Sequence, residues 1–224
     1  MKYKAIIFDF NGVILWDRKW HEAAWNAISV KLRGKPFTKD EADKYIHGKP
    51  PHETFSYLLK NQSSKKSFPN LLLQKEKFYQ KIALNNSRFR LSPGATQLFN
   101  LLKSAGVKQT IATSSPLMHV KFYYQHLNLK NWFPRTKIIY DNGTIPSKPA
   151  PDIYLKAAKK LNINIRECLV VEDALSGRLS AKNAKAGKII ALAQNDNFSS
   201  LEKLHYVSKV IKNLGQISLA DFRQ

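Results

Sequence analysis

The chain has 224 residues, with 37 Lys and Arg against 16 Asp and Glu, a formal charge of +21 at pH 7. At 43% apolar and 11% aromatic it can bury a core, which excludes global disorder despite the charge. Its length fits one large domain, or a core with one inserted lobe, at roughly 100–200 residues per domain.

Tyr3 to Phe8 reads as a short buried strand, ended by a turn at Asn11-Gly12. Asp9 cuts off the apolar run Ala5-Ile6-Ile7-Phe8, leaving it too short for the apolar region of a signal peptide. No later stretch approaches ~20 uncharged apolar residues, so a soluble, cytoplasmic protein with no membrane partner is expected. From Arg18 to about Asn85 apolar residues recur at helical spacing, as in Trp20, Ala23, Ala24, Ala27 and Ile28, and no convincing strand interrupts them. Pro36, Pro50-Pro51 and Pro69 divide this stretch into about four helices. Thr38-Lys39-Asp40-Glu41 has the capping-box pattern at the start of the second, and Asn61–Ser67 is a polar loop.

Beyond Ser92-Pro93-Gly94 helices and strands alternate. Helices are expected over Ala95–Ser104, up to Leu127, over Asp152–Leu161 and over Gly177–Ala186. Strands are expected over Lys108–Ala112, Thr136–Tyr140, Cys168–Val171 and Lys188–Leu192. This alternation predicts an α/β fold, a doubly wound parallel sheet with an inserted all-helical domain. The boundaries are 1–15 and 92–224 for the core and 16–91 for the insertion. Cys168, the single cysteine, excludes an intramolecular disulfide and a cysteine-built metal site, and reads as a small core residue.

Ligands of a parallel sheet bind beyond the carboxyl ends of its strands. Those ends here supply Asp9, the hydroxyl pair Thr113-Ser114, Lys148 in a loop, and the acidic pair Glu172-Asp173. The carboxylates suit Mg²⁺, which takes hard oxygen ligands; the hydroxyls and the lysine suit a phosphate. Each has a plainer reading alone: a turn aspartate, a helix cap, one lysine among many, and acids complementing a helix dipole.

Together they resemble a known family. Phe8-Asp9-Phe10-Asn11-Gly12-Val13, the strand ending Ala112-Thr113-Ser114-Ser115, Ser147-Lys148-Pro149-Ala150-Pro151-Asp152, and Val170-Val171-Glu172-Asp173 with Ser176-Gly177 are similar to the four motifs of the haloacid dehalogenase-like hydrolases. The helical insertion and His21-Glu22-Ala23-Ala24-Trp25 resemble the branch holding β-phosphoglucomutase and its phosphatase relatives, and so imply a helical cap. The resemblance implies Asp9 as nucleophile, forming an aspartyl-phosphate. It implies Mg²⁺ on Asp9, the main-chain carbonyl of Asn11, Asp173 and Glu172, phosphate on Thr113 and Ser114, and Lys148 neutralising charge between them.

One position departs. The family's phosphatases and mutases usually carry a second aspartate two residues after the nucleophile, as general acid and base; here it is Asn11. An amide orients an oxygen but exchanges no proton at neutral pH, so slow or leaving-group-selective turnover is expected, at a cost of about 10²–10⁴-fold. His21 is the nearest candidate by sequence for a replacement base. A sugar phosphomutase, the alternative, needs proton exchange at both steps and a cation for a second phosphate. Lys49 could serve there, but Pro51 stands where an arginine is expected.

The charge asks for a polyanion, and a catalytically weakened nucleic-acid binder is the rival from another class. Its clusters, such as Lys31-Arg33-Lys35, Lys75-Lys77-Lys81 and Lys182-Lys185-Lys188, fall in separate elements on what would be polar helix faces. Arg178 and Lys182 likewise read as solvated. Nucleic acid is therefore not expected, and the expected partner is a small phosphorylated metabolite. The sequence leaves the oligomeric state open.

Overall fold

A computed structural model of the chain describes residues 1–46, 51–59, 68–193 and 198–223. The chain divides into two compact units, one joining Met1–Trp16 to Arg90–Gln224 and the other comprising Asp17–Phe89. The first unit holds β1 (Ala5–Phe8), β2 (Lys108–Pro116), β3 (Ile139–Asp141), β4 (Cys168–Glu172), β5 (Lys188–Leu192) and β6 (Lys209–Ile211). They form one sheet in the order β3-β2-β1-β4-β5-β6, with every neighbouring pair parallel. The central strand β1 is buried along its whole length, which is why its sequence is a continuous apolar run rather than an alternation.

The inserted unit is helical among its described residues: α1 (Arg18–Arg33), α2 (Lys39–Tyr45), α3 (Pro51–Leu58) and α4 (Phe68–Leu84). Gly34 ends α1 in the left-handed conformation, and Thr38 with Glu41 closes a two-way capping box on α2. Trp25, Ile28, Phe37, Ile46, Phe55, Leu58 and Leu71 make its core. Arg33 forks onto both oxygens of Glu41 at 2.7 and 2.8 Å, and Tyr57 also donates to that carboxylate. These hydrogen bonds, Arg33's first, hold the Glu41 carboxyl well below its usual range.

The core unit adds α5 (Ala95–Ser104), α6 (Leu117–His126), α7 (Asp152–Leu161), α8 (Leu175–Asn183) and α9 (Phe198–Glu202). The buried stripe Ile153, Tyr154, Ala157, Ala158 and Leu161 of α7 packs on Ala5, Ile7, Cys168 and Val170. On the other face Phe8 meets Phe99 and Phe133 edge-on, at 5.2 and 6.2 Å. The chain moves outward from β1 through β2 to β3, then returns to the opposite side of β1 at β4. The reversal opens a crevice between the carboxyl ends of β1 and β4, the switch point where ligands of such sheets bind.

Several boundaries differ from expectation, and β1 begins at Ala5 rather than Tyr3. β2 continues past Ala112 to Pro116, so Thr113, Ser114 and Ser115 lie on the strand. The strand expected from Thr136 starts at Ile139, because Arg135–Lys137 takes a 3₁₀ turn. α8 starts at Leu175, ahead of Gly177, and stops at Asn183, just before Lys185 enters the left-handed region at φ 59°. α9 and β6 are not expected from the sequence; both are short. No helix among the described residues is long and apolar enough to cross a membrane.

Candidate active site

Asp9 follows β1 directly, Glu172 is the last residue of β4 and Asp173 the next, so the two strands flanking the crevice deliver three carboxylates. One oxygen from each lies within 4.8 Å of the others. Lys148, in the loop before α7, reaches between them: its Nζ is 2.6 Å from Asp9 Oδ1 and also donates to Glu172 Oε1. The Lys148–Pro149 peptide is cis. Tyr154, on α7, donates its hydroxyl to the same Glu172 oxygen, and its ring lies 5.0 Å under the Lys148 ammonium.

The electrostatics follow from three acids, Asp9 and Glu172 buried and Asp173 half-buried, against the buried ammonium of Lys148. Burial pushes the Asp9 carboxyl well up; Lys148 pulls it down, and Glu172 and Asp173 add to the rise. Asp173 is pushed up to about 7, by burial first and by Glu172 second. Burial alone would lower Lys148, but Asp9 and Glu172 outweigh it and hold the ammonium charged. The site thus carries more negative charge than its lysine balances, and all its acidic donors are hard oxygens. That donor set fits a divalent cation of the Mg²⁺ type. The surroundings are tight: a Cβ on Gly12, at φ +88°, would stand 2.1 Å from Asp173 Oδ2, and one on Gly177 would stand 1.8 Å from Glu172 Oε1.

Thr113 is buried, and its Oγ1 accepts the Ser115 N–H at 3.1 Å; Ser114 is exposed on the same strand end. The helix-cap reading of this pair fails, since α6 starts from Pro116 without a side-chain cap. The Asn11 carboxamide accepts from Ser115 Oγ at 2.7 Å and donates to the Tyr123 hydroxyl at 2.9 Å. His21 lies in the helical unit, stacked on Tyr79 at 4.2 Å. Its Nε2 is 3.2 Å from Asp17 and its Nδ1 is 3.1 Å from Lys75 Nζ. Lys49 and all of Asn61–Ser67, expected as a polar loop, lie outside the described residues.

Two readings of the basic residues need correction. Arg178 is buried, not solvated: it donates to the main-chain oxygen of Asp173 and braces the acidic turn. Lys75 is buried as well, paired with Glu76 at 3.0 Å, because it occupies the inward stripe of α4. Tyr123 and Tyr154 escaped the sequence reading altogether, and Ser115 entered it only as the end of the second motif, with no role. The two tyrosines sit at apolar helix positions, where a hydroxyl leaves no signal.

Residues 3–185 match the haloacid dehalogenase-like hydrolase family. The chain is similar to a phosphorylated carbohydrates phosphatase of Thermotoga maritima, 27% identical over 89% of this chain and 90% of that one. It is also similar to the β-phosphoglucomutase of Bacillus subtilis, 29% identical over 81% and 80%. The crystal structure of a family IA, variant 3 hydrolase from Entamoeba histolytica superposes with a TM-score of 0.90 at 33% identity, covering 98% of this chain and 97% of that one. With the family's pattern running through both sheet strands that carry the carboxylates, the chain belongs to the haloacid dehalogenase-like hydrolases.

Proposed function

We propose that the protein is a Mg²⁺-dependent phosphatase that hydrolyses a small phosphate monoester, of the sugar-phosphate type, through Asp9. The observation that carries this reading is the grouping of Asp9, Lys148, Glu172 and Asp173 at the β1/β4 switch point. The similarity to a phosphatase of phosphorylated carbohydrates supports the substrate class.

A carboxylate oxygen of Asp9 attacks phosphorus, the bond to the leaving oxygen breaks, and an aspartyl-phosphate forms. Water then attacks the same phosphorus, releasing inorganic phosphate and restoring the carboxylate. Lys148 offsets charge between Asp9 and the incoming phosphate, while Thr113 and Ser114 hold phosphoryl oxygens. Asp9, Glu172, Asp173 and the main-chain carbonyl of Asn11 would hold Mg²⁺, which when bound supplies Lewis-acid stabilisation of the phosphoryl charge. Asn11 stands where a proton donor is usual, so it can orient the leaving oxygen but cannot protonate it. Good leaving groups are therefore favoured. The inserted helical unit acts as the family's cap, and substrate choice resides there.

The test is phosphate release from 4-nitrophenyl phosphate with and without Mg²⁺. Turnover that needs the metal and vanishes in Asp9→Asn supports the reading; metal-independent turnover, or turnover surviving that substitution, overturns it.

A further inference from the structure

We infer that Tyr123 and His119 are positioning residues that, together with Ser115, fix which end of the Asn11 carboxamide faces which way. The inference rests on the reading of Asn11 as the group that meets the leaving oxygen.

Three hydrogen bonds run in line. Ser115 Oγ donates to Asn11 Oδ1 at 2.7 Å, Asn11 Nδ2 donates to the Tyr123 hydroxyl at 2.9 Å, and that hydroxyl lies 3.1 Å from His119 Nδ1. Serine and tyrosine hydroxyls both donate and accept, so neither alone can tell the two ends of an amide apart. His119 can. A phenol has a single hydrogen, and when it goes to Nδ1 the phenolic oxygen is left as an acceptor. Only the NH₂ end of Asn11 can then face it. With the His119 proton on Nε2, the chain of donors runs from Ser115 through Asn11 and Tyr123 to His119.

The framework around this relay is buried and packed. His119 and Tyr123 lie one turn apart on α6, both buried. Phe10, between Asp9 and Asn11 in sequence, stacks on the Tyr123 ring at 4.3 Å and 18°. The loop that bears Asn11 is thus clamped to the tyrosine that orients it. An aspartate at this position would have two equivalent oxygens and no orientation to fix; an amide has two unlike ends.

The experiment uses the full-length protein labelled with ¹⁵N. The side-chain amide signals of Asn11 are assigned by their loss in Asn11→Asp. They should move in Tyr123→Phe and in His119→Leu. His119→Asn, whose side-chain oxygen can replace Nδ1 as acceptor, should restore them. Imidazole ¹⁵N shifts should place the His119 proton on Nε2. With 4-nitrophenyl phosphate, Tyr123→Phe should lower kcat by about fivefold to tenfold at unchanged KM, as for one lost hydrogen bond. It should have no further effect on Asn11→Ala. Amide signals unmoved by both Tyr123→Phe and His119→Leu would overturn the inference, as would an equal kcat loss in the Asn11→Ala background. Signals that move as described in the variants, with a wild type that turns over no phosphate ester, would refute the phosphatase reading and leave the positioning role standing.

Discussion

Replacing Asn11 by aspartate adds one proton-exchanging group to a site otherwise complete, and the surrounding hydrogen bonds accept it without loss. Ser115 already donates to the side-chain oxygen of residue 11. Tyr123 can turn its hydrogen from His119 toward the new carboxylate, and His119 can move its proton to Nδ1 and donate to the phenol. The number of hydrogen bonds is conserved, so stability should change by no more than about 1 kcal/mol. A carboxyl at position 11 can give and take the proton that the amide cannot. The expected gain in kcat/KM is about 10²–10⁴-fold for an alkyl phosphate, whose leaving oxygen must be protonated. For an aryl phosphate, whose leaving group departs as the anion, the gain should be far smaller. The assay compares glycerol phosphate with 4-nitrophenyl phosphate in wild type and Asn11→Asp under saturating Mg²⁺. Equal gains for the two esters, or none for the alkyl ester, would refute proton supply as the missing element.

Lys148→Met should destabilise the metal-free protein by about 3–5 kcal/mol at pH 8, read by urea unfolding, because it strands buried carboxylates. The loss should shrink at pH 5, where Asp173, pushed up to about 7, holds a proton. Gly12→Ala forces a side chain into the left-handed region and against Asp173; backbone strain alone costs roughly 1–2 kcal/mol, and Mg²⁺ binding by calorimetry should weaken. In metal-free wild type, Asp173 at about 7 keeps a proton in the fold that the unfolded chain has already released, so stability should fall as pH rises from 5 to 8. The slope should flatten in Asp173→Asn, and the thermal-shift gain on adding Mg²⁺ should grow with pH; a metal-free Tm that climbs steeply across this window would contradict the sign. Cys168, buried and pushed up to about 12 chiefly by burial, should react with iodoacetamide at pH 8 only after unfolding.

Period and punctuation made much of the fold legible. α5, α7 and β5 run over the residues that apolar spacing marks, because each has a full buried stripe or a continuous buried run. β6 was hidden: three residues, Lys209-Val210-Ile211, carry too little pattern to distinguish an edge strand from a loop. The acids were legible because each closes or follows an apolar strand whose end is sharp. Lys148 was legible from its setting between turn residues, and lies on two of those acids. Tyr154 and Tyr123 were not, since their positions demand a large buried ring and the hydroxyl at its tip is silent. Lys75 is instructive in the other direction. It shares the i, i+4 stripe Leu71, Lys75, Tyr79 and Ala83, all buried, so the period pointed inward while the residue type pointed to solvent. The period was right, and Glu76 and His21 meet the ammonium that the type made costly.

The same balance of charge gives Asn11 a meaning beyond a missing acid. Three carboxylates and one ammonium face one another at the switch point, and one divalent cation would bring that set to formal neutrality. A fourth carboxylate at position 11 would leave the loaded site negative, and a phosphate dianion would approach against that charge. The amide keeps the hydrogen bonds of the position and omits its charge. Proton exchange is then lost, which slows the departure of poor leaving groups, while anion binding is eased, which favours capture. On this argument Asn11→Asp should raise kcat for an alkyl ester and raise KM with it. The amide at position 11 thus sets the balance between holding phosphate and releasing alcohol.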